Sequence, residues 1–471
     1  MAKDDLCWLS ATELAALIRT RKVSPVEVVD AVLARIEKVN PRLNAYVTLT
    51  ADEARRRARA AERAVMRRSA RLGPLHGVPF SVKDLVITRG VRTTFGTPLY
   101  RDHVPDEDAP MVERLLAAGG ILLGKTNTPT LGWIGSTHNL LFGPTRNPWD
   151  LERTPGGSSG GASAAAAAGL GPLHVGTDGG GSIRIPAACT GIVGFKPSYG
   201  RIPTYPFSGA WSLSHIGPMT RTVADAALML QVSAGPDERD LYSLPADGAD
   251  YLRAARATSL RGLRVAWTDD LGFAPVVDPE VKAVCARAVR AFRELGARVE
   301  TVNPKWPSPH EAWDQIFCGG IATRLAPYLD RRKELEPGLV EIIERTLKNP
   351  PTRYVQAWFD RLAWWQHVRR FFETYDLLVT PTIACLPFAC TADAPTEIAG
   401  RPIGRYDWIP FTYPFNLTGQ PAVSVPAGFS RSGLPVGLQI VGRRFDDLGV
   451  LRAAAAFERA RPWAQHRPPL D

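Results

Sequence analysis

Along the first seventy residues the apolar positions recur at helical spacing. Ser10 with Glu13 forms a capping box that opens a helix over residues 10–21. Ser24, Pro25 and Glu27 start a second helix, with Pro in its first turn and Glu at the third position. Val28, Val32, Leu33 and Ile36 line one face of it, and Asn40-Pro41 is expected to stop it. A third helix is expected from Ala51 to Ala70, with Ala54, Ala58, Ala61 and Val65 on one face and arginines on the other.

The pattern then switches to alternation. Val78, Phe80 and Val82 alternate with Pro79, Ser81 and Lys83, so Gly77 to Val86 reads as a strand with a lysine set inside it. Glu107 to Ala118 reads as a helix and Ile121 to Leu123 as a short buried strand. A loop from Asn147 to Pro155 precedes a helix of very small residues, Gly160 to Ala168. Strands follow at Leu173–Thr177 and Ile192–Phe195, and Thr222 with Asp225 caps a helix reaching about Val232. Beyond it come a strand (Leu263–Trp267), a helix (Pro279–Leu295), and strands at Ala297–Val302 and Leu377–Thr382. A hairpin (Ala422–Pro426 with Val436–Val441) and a last helix, Asp446–Arg459, close the pattern. This alternation predicts an α/β fold. No repeat or low-complexity linker divides it, so residues 1–471 read as one large domain. Within it, 1–70 form N-terminal helices, 71–235 the catalytic core, and 305–410 a helical segment holding six of the twelve tryptophans. That segment is a candidate wall for an apolar substrate pocket.

Composition excludes several classes. With 45% hydrophobic and 22% charged residues the chain is globular rather than disordered or fibrous. No run of eighteen apolar residues predicts a membrane span, and the first residues lack the apolar core of a signal peptide. Cys7, Cys189, Cys285, Cys318, Cys385 and Cys390 are scattered without a Cys-x-x-Cys pair, which fits a reduced, cytoplasmic protein without structural zinc. The net charge of +10 raises the question of nucleic acid. In the one dense stretch, Arg55 to Arg71, arginines interleave with alanines and no aromatic side chain is present for base stacking, so a solvated helix face is expected instead.

Chemistry concentrates in two glycine clusters. Ser158 sits in Thr154-Pro155-Gly156-Gly157-Ser158-Ser159-Gly160-Gly161, and Ser182 in Gly176-Thr177-Asp178-Gly179-Gly180-Gly181-Ser182-Ile183-Arg184-Ile185-Pro186. Glycine serves where the backbone turns through positive φ or approaches another group closely, so the pair suggests a site built from amides and hydroxyls. Two other motif matches fail on context. Gly119 to Thr126 fits a phosphate-loop pattern, but a helix precedes it and a strand fills its variable positions. Gly157 to Gly161 fits Gly-x-Ser-x-Gly, but an elbow serine needs a strand before it. None of the eight histidines falls in a serine-hydrolase or zinc pattern. A serine needs a base, and a buried, uncharged lysine can be one.

The two clusters together resemble the signature of the amidase signature family, the Ser-Ser-Lys amide hydrolases. The key serines of that family lie 24 positions apart, as Ser158 and Ser182 do here. Gly77–Asp84, Gly124–Asn127, Arg146–Trp149, Gly191–Pro197 and Pro414–Pro421 extend the resemblance over residues 10–460 or so. Gly179 departs from it, since the family usually has Thr there. The resemblance implies a mixed, twisted sheet of about eleven strands covered by helices on both faces. It implies that Ser182 is the acylated nucleophile, Lys83 the base and Ser158 the relay between them, with a cis Gly157–Ser158 peptide. The amides of Gly179, Gly180, Gly181 and Ser182 would bind the oxyanion, while Gly157, Asp178 and Arg184 support the loops. No metal or organic cofactor is implied. The expected partner is a small amide, ester or carbamate, with no nucleic acid and no membrane. The oligomeric state is open, a homodimer included. Residues 120–140, 200–215 and 305–410 are expected to shape the substrate pocket.

Three activities fit this reading. The first is a stand-alone amidase for small aryl or alkyl amides. The second is the glutaminase subunit of a tRNA-dependent amidotransferase. Against that stands the absence of an Arg-Arg-Ile-(Met/Leu)-Gly-Thr-Tyr segment within 310–350. The third is a catalytically inactive binding protein, against which stand the intact Lys83, Ser158 and Ser182.

Overall fold

Runs of β-branched and other apolar residues give thirteen strands in the computed structural model, which describes residues 3–67 and 71–470. They are β1 (Tyr46–Leu49), β2 (Pro79–Lys83), β3 (Ile121–Thr126), β4 (Leu173–Asp178), β5 (Val193–Lys196), β6 (His215–Thr220) and β7 (Arg264–Trp267). They continue with β8 (Arg298–Thr301), β9 (Leu377–Pro381), β10 (Glu397–Ile398), β11 (Arg401–Pro402), β12 (Ala422–Phe429) and β13 (Pro435–Gly442). Eleven of them form one sheet in the order β1-β3-β2-β4-β6-β5-β12-β13-β9-β7-β8, and β10 pairs only with β11. β2 runs parallel to β3 and β4, and β7 parallel to β8 and β9. The remaining pairs are antiparallel, so the sheet is mixed, as expected.

Successive residues of a strand face opposite sides, and β13 shows how both sides are covered. Gly437 faces Ala188 of the helix Arg184–Thr190, and a Cβ there would collide with that methyl. Gly442 faces Val450 of the helix Asp447–Ala460, where a Cβ would lie 2.5 Å from the valine Cγ2. Glycine lets each helix settle directly on the strand backbone. The helix Gly160–Ala167 uses the same device: all eight residues are buried, and a Cβ on Gly161 would strike the backbone of Asn127 just beyond β3.

Several boundaries differ from expectation for identifiable reasons. The second helix runs Pro25–Leu43 instead of stopping at Asn40-Pro41. Pro41 falls in the last turn, where its missing N–H forfeits a single bond, and Asn44 ends the helix with φ 53°. The third helix is described from Ala51 to Met66, and its expected tail at 68–70 lies outside the described residues. β2 is shorter than 77–86 because Asp84 turns the chain, its carboxylate accepting bonds from the Thr94 amide and hydroxyl. β3 extends to Thr126, so a strand occupies the place of the phosphate-loop glycines, and Lys125 donates inward to the Val86 carbonyl and Thr88 hydroxyl. Among the described residues no helix is long and apolar enough to cross a membrane.

Candidate active site

β2 and β4 lie side by side, parallel, with Val82 opposite Val175. This register brings Lys83, at the end of β2, beside Thr177 of β4. Lys83 Nζ is 2.7 Å from Ser158 Oγ and 2.9 Å from Thr177 Oγ1, and the lysine is fully buried. Ser158 follows a cis Gly157–Ser158 peptide two residues ahead of the small-residue helix. Gly132, with φ 73°, closes over it: a Cβ there would lie 2.9 Å from Ser158 Oγ. Ser182 stands half-buried beside them, tied to the same loop by the Ser159 amide, which donates 3.2 Å to the Ser182 carbonyl.

Ser158 and Ser182 both line one cleft enclosing about 840 Å³ of space open to solvent. Its walls are largely apolar, with Leu85, Leu131, Ile216, Phe317 and Ile321 prominent. Leu131 and Gly132, then Thr204, Tyr205, Pro206, Ser208, Gly209 and Ala210, and then Phe317, Ile321 and Arg324 line it, so each of the 120–140, 200–215 and 305–410 segments supplies residues to this cleft. Phe317, Ile321 and Arg324 project from one face of the helix His310–Leu325, a spacing visible in the sequence as i, i+4, i+7. Arg324 is the only Asp, Glu, Lys or Arg among the described residues of the cleft. Of the six tryptophans between 305 and 410, only Trp313 borders Ser182, through a small adjoining cavity. Trp306 packs edge-on against Trp364, and Trp358 stacks on Trp211, away from the serines. Within 305–410, the aromatic residues lining the cleft or the adjoining cavity are Phe317, Trp313 and Tyr406.

Burial controls the charges here. Removing an ammonium from water favours its neutral form, and this holds Lys83 well below the usual lysine range despite the opposing field of Asp178. Burial also works against the Asp178 carboxylate, but the charge and hydrogen bonds of Arg184 outweigh it and keep Asp178 far below the usual carboxylate range. Asp178 Oδ1 accepts from Arg184 Nη2 at 2.9 Å and Oδ2 from Arg184 Nε at 2.9 Å. Arg184 also donates to Gln439 Oε1, Asn416 Oδ1 and the Thr412 carbonyl. Both partners are fully buried. Asp178→Asn leaves the guanidinium without its counter-charge, a change expected to cost about 3–5 kcal/mol of stability, read as a lower urea midpoint at unchanged m-value.

The glycine turn departs from expectation at one residue. The Gly181 amide donates 2.7 Å to Asp178 Oδ1, and so braces the turn from within. The amides of Gly179, Gly180 and Ser182 donate to no group among the described residues. Buried or half-buried N–H groups are normally paired, so three unpaired ones within four residues mark a place for an acceptor. At Gly179 a Cβ would meet Phe317 Cε2 at 3.3 Å, so the aromatic ring stands where a threonine side chain would begin. Thr177, Gly132, Asn416 and Gln439 were not singled out by the sequence reading. Two of them carried a signal: Thr177 lies within the second glycine cluster and Asn416 within the Pro414–Pro421 segment. Among the described residues, no group of three or more His, Cys, Asp or Glu side chains is arranged to hold a metal ion.

The family model described as Amidase matches residues 27–451. The chain belongs to the amidase family. An acylamidase of Rhodococcus erythropolis is 44% identical over 474 residues, covering 99% of this chain and 98% of that protein. A glutamyl-tRNA(Gln) amidotransferase subunit of Moorella thermoacetica is 40% identical over 492 residues, covering 99% of each. The crystal structure of a bacterial aryl acylamidase of the amidase signature enzymes is 37% identical, with a TM-score of 0.91 over 97% of each chain. The expected sheet of eleven strands is the one observed, and the protein is an amide-hydrolysing enzyme.

Proposed function

We propose that the enzyme cleaves small aryl and alkyl amides through an acyl-enzyme on Ser182. The observation that carries this reading is the buried amine of Lys83 within 2.7 Å of Ser158 Oγ, beside a half-open serine in an apolar cleft. A neutral amine accepts a proton, and a hydroxyl both accepts and donates one. Ser182 Oγ attacks the substrate carbonyl carbon and gives its proton to Ser158, which passes its own to Lys83. The carbonyl π electrons move to the oxygen, which the amides of Gly179, Gly180 and Ser182 receive; each such donor contributes about 3–4 kcal/mol. The electron pair returns, the C–N bond breaks, and Ser158 delivers a proton to the leaving nitrogen as Lys83 reprotonates it. Water then attacks the ester by the same route. Esters and carbamates present the same carbonyl and fit the same scheme.

The identity to amidotransferase subunits favours a second reading, glutamine hydrolysis. Free glutamine carries both a carboxylate and an ammonium. Arg324 faces the cleft for the first, but among the described residues no acid lines it for the second. Burying an unpaired charge is costly. On a panel of anilides, aliphatic amides, glutamine, nitrophenyl esters and aryl carbamates, an anilide is expected to exceed glutamine at least about a hundredfold in kcat/KM. Preference for glutamine would overturn the substrate reading. No turnover, together with no fluorophosphonate labelling of Ser182, would leave the binding-protein reading standing.

A further inference from the structure

Each peptide of the glycine turn is one rigid plane whose C=O and N–H point in opposite directions. Fixing the oxygen therefore aims the hydrogen. The Asp178 carbonyl accepts from Asn416 Nδ2 at 2.9 Å, which orients the Gly179 amide. The Gly181 carbonyl accepts from the Ile185 amide at 2.7 Å, which orients the Ser182 amide. The Gly180 carbonyl accepts from the Thr412 hydroxyl at 2.7 Å, and that plane's own amide is spent on Asp178. The remaining plane, Gly179 C=O with Gly180 N–H, is held by a single described side chain: Trp313 Nε1 donates to the Gly179 carbonyl at 3.1 Å.

We propose that Trp313 is a positioning residue for the reaction: its indole N–H fixes the Gly179–Gly180 peptide so that the Gly180 amide faces the oxyanion. This rests on the acyl-enzyme reading above. Its surroundings leave the indole little freedom. It is 2% exposed, stacked between Phe317 (4.8 Å, 17°) and Tyr413 (5.1 Å, 27°), with Tyr406 edge-on at 5.0 Å. Its Nε1–Cζ2 edge lies against Gly180, where a Cβ would come within 2.6 Å of Cζ2. Any side chain at 180 would push the donor away from the carbonyl. With glycine at 179 as well, no side chain of the turn restrains this plane from inside, so the restraint comes from a helix more than 130 residues later.

The test separates the donor from the packing. Trp313→Phe keeps an aromatic ring in the stack and removes the N–H. Trp313→His loses more apolar volume, but its Nε2 overlays the indole Nε1 and restores a donor. Deleting an oxyanion amide outright costs about a hundredfold or more in kcat, and loosening one is expected to cost about tenfold. Trp313→Phe should therefore lower kcat for an anilide about tenfold with KM within twofold, and slow fluorophosphonate labelling of Ser182 in parallel. Trp313→His should recover kcat about threefold over Trp313→Phe while melting at a lower temperature. Rates that follow the melting temperatures, with His below Phe, would make Trp313 a packing residue and overturn the proposal, as would an unchanged kcat in Trp313→Phe. Wild-type Ser182 inert to the probe would instead remove the acyl-enzyme reading, and this inference with it.

Discussion

Ser182→Ala is expected to lower kcat for amide hydrolysis by about four to six powers of ten while the protein folds and binds substrate as before. The residue is half-buried at the surface of the cleft, and among the described residues its side chain donates no hydrogen bond that holds the fold. The loop keeps its shape through groups that the substitution does not touch: the Ser182 carbonyl bonded by Ser159, and the Asp178–Arg184 pair. The residual rate is expected to stem from the amides of Gly179, Gly180 and residue 182 itself. Loss of turnover at an unchanged dissociation constant for an anilide, with fluorophosphonate labelling abolished, is the expected result. Near wild-type hydrolysis by the folded variant would sink the nucleophile assignment.

Lys83→Met is expected to remove about two to four powers of ten of activity and, in the same protein, to raise the melting temperature at neutral pH. Burial places the folded-state pKa of Lys83 well below that of an exposed lysine. Between the two pKa values the unfolded chain carries a proton on this amine and the folded chain does not, so stability rises with pH. The penalty is absent above the unfolded pKa, grows as the pH falls below it, and is complete once the folded pKa is passed. Methionine has nearly the same volume and no proton to lose, so the variant escapes the penalty. In wild-type enzyme, kcat/KM should fall on the acid side as Lys83 becomes protonated and ceases to accept from Ser158. Titration of stability against pH, wild type beside Lys83→Met, checks the sign; a variant less stable at pH 7 would contradict a neutral amine.

Much of this was readable from the chain because it is local. The Ser24 cap, its Pro25 and Glu27 gave the second helix its start, and both serine clusters announced themselves through their glycines. The alternation around Lys83 put it in a strand, and β2 is that strand. What was hidden depends on partners remote in sequence. β6 contains Gly217 and Pro218, which read as breakers, yet it pairs with β4 along its whole length. β1 has four residues and one apolar side clearly buried, too little pattern to register. The helix Arg184–Thr190 carries Pro186, tolerated because it falls in the first turn. In the site, the Gly181 amide is consumed by Asp178 only three residues before it, a local bond of the Asx kind that competes with the oxyanion for that amide. No local rule could show that Thr177 approaches Lys83, since that closeness comes from pairing β2 with β4.

The glycine turn proposed to receive the substrate oxygen is held by Trp313, Thr412 and Asn416, all made long after Lys83, Ser158 and Ser182 on the ribosome. A nascent chain of about two hundred residues would hold Lys83, Ser158 and Ser182 and still lack the three side chains that fix the turn. On the proposed mechanism, turnover therefore requires that the segment carrying Trp313, Thr412 and Asn416 has docked on the turn.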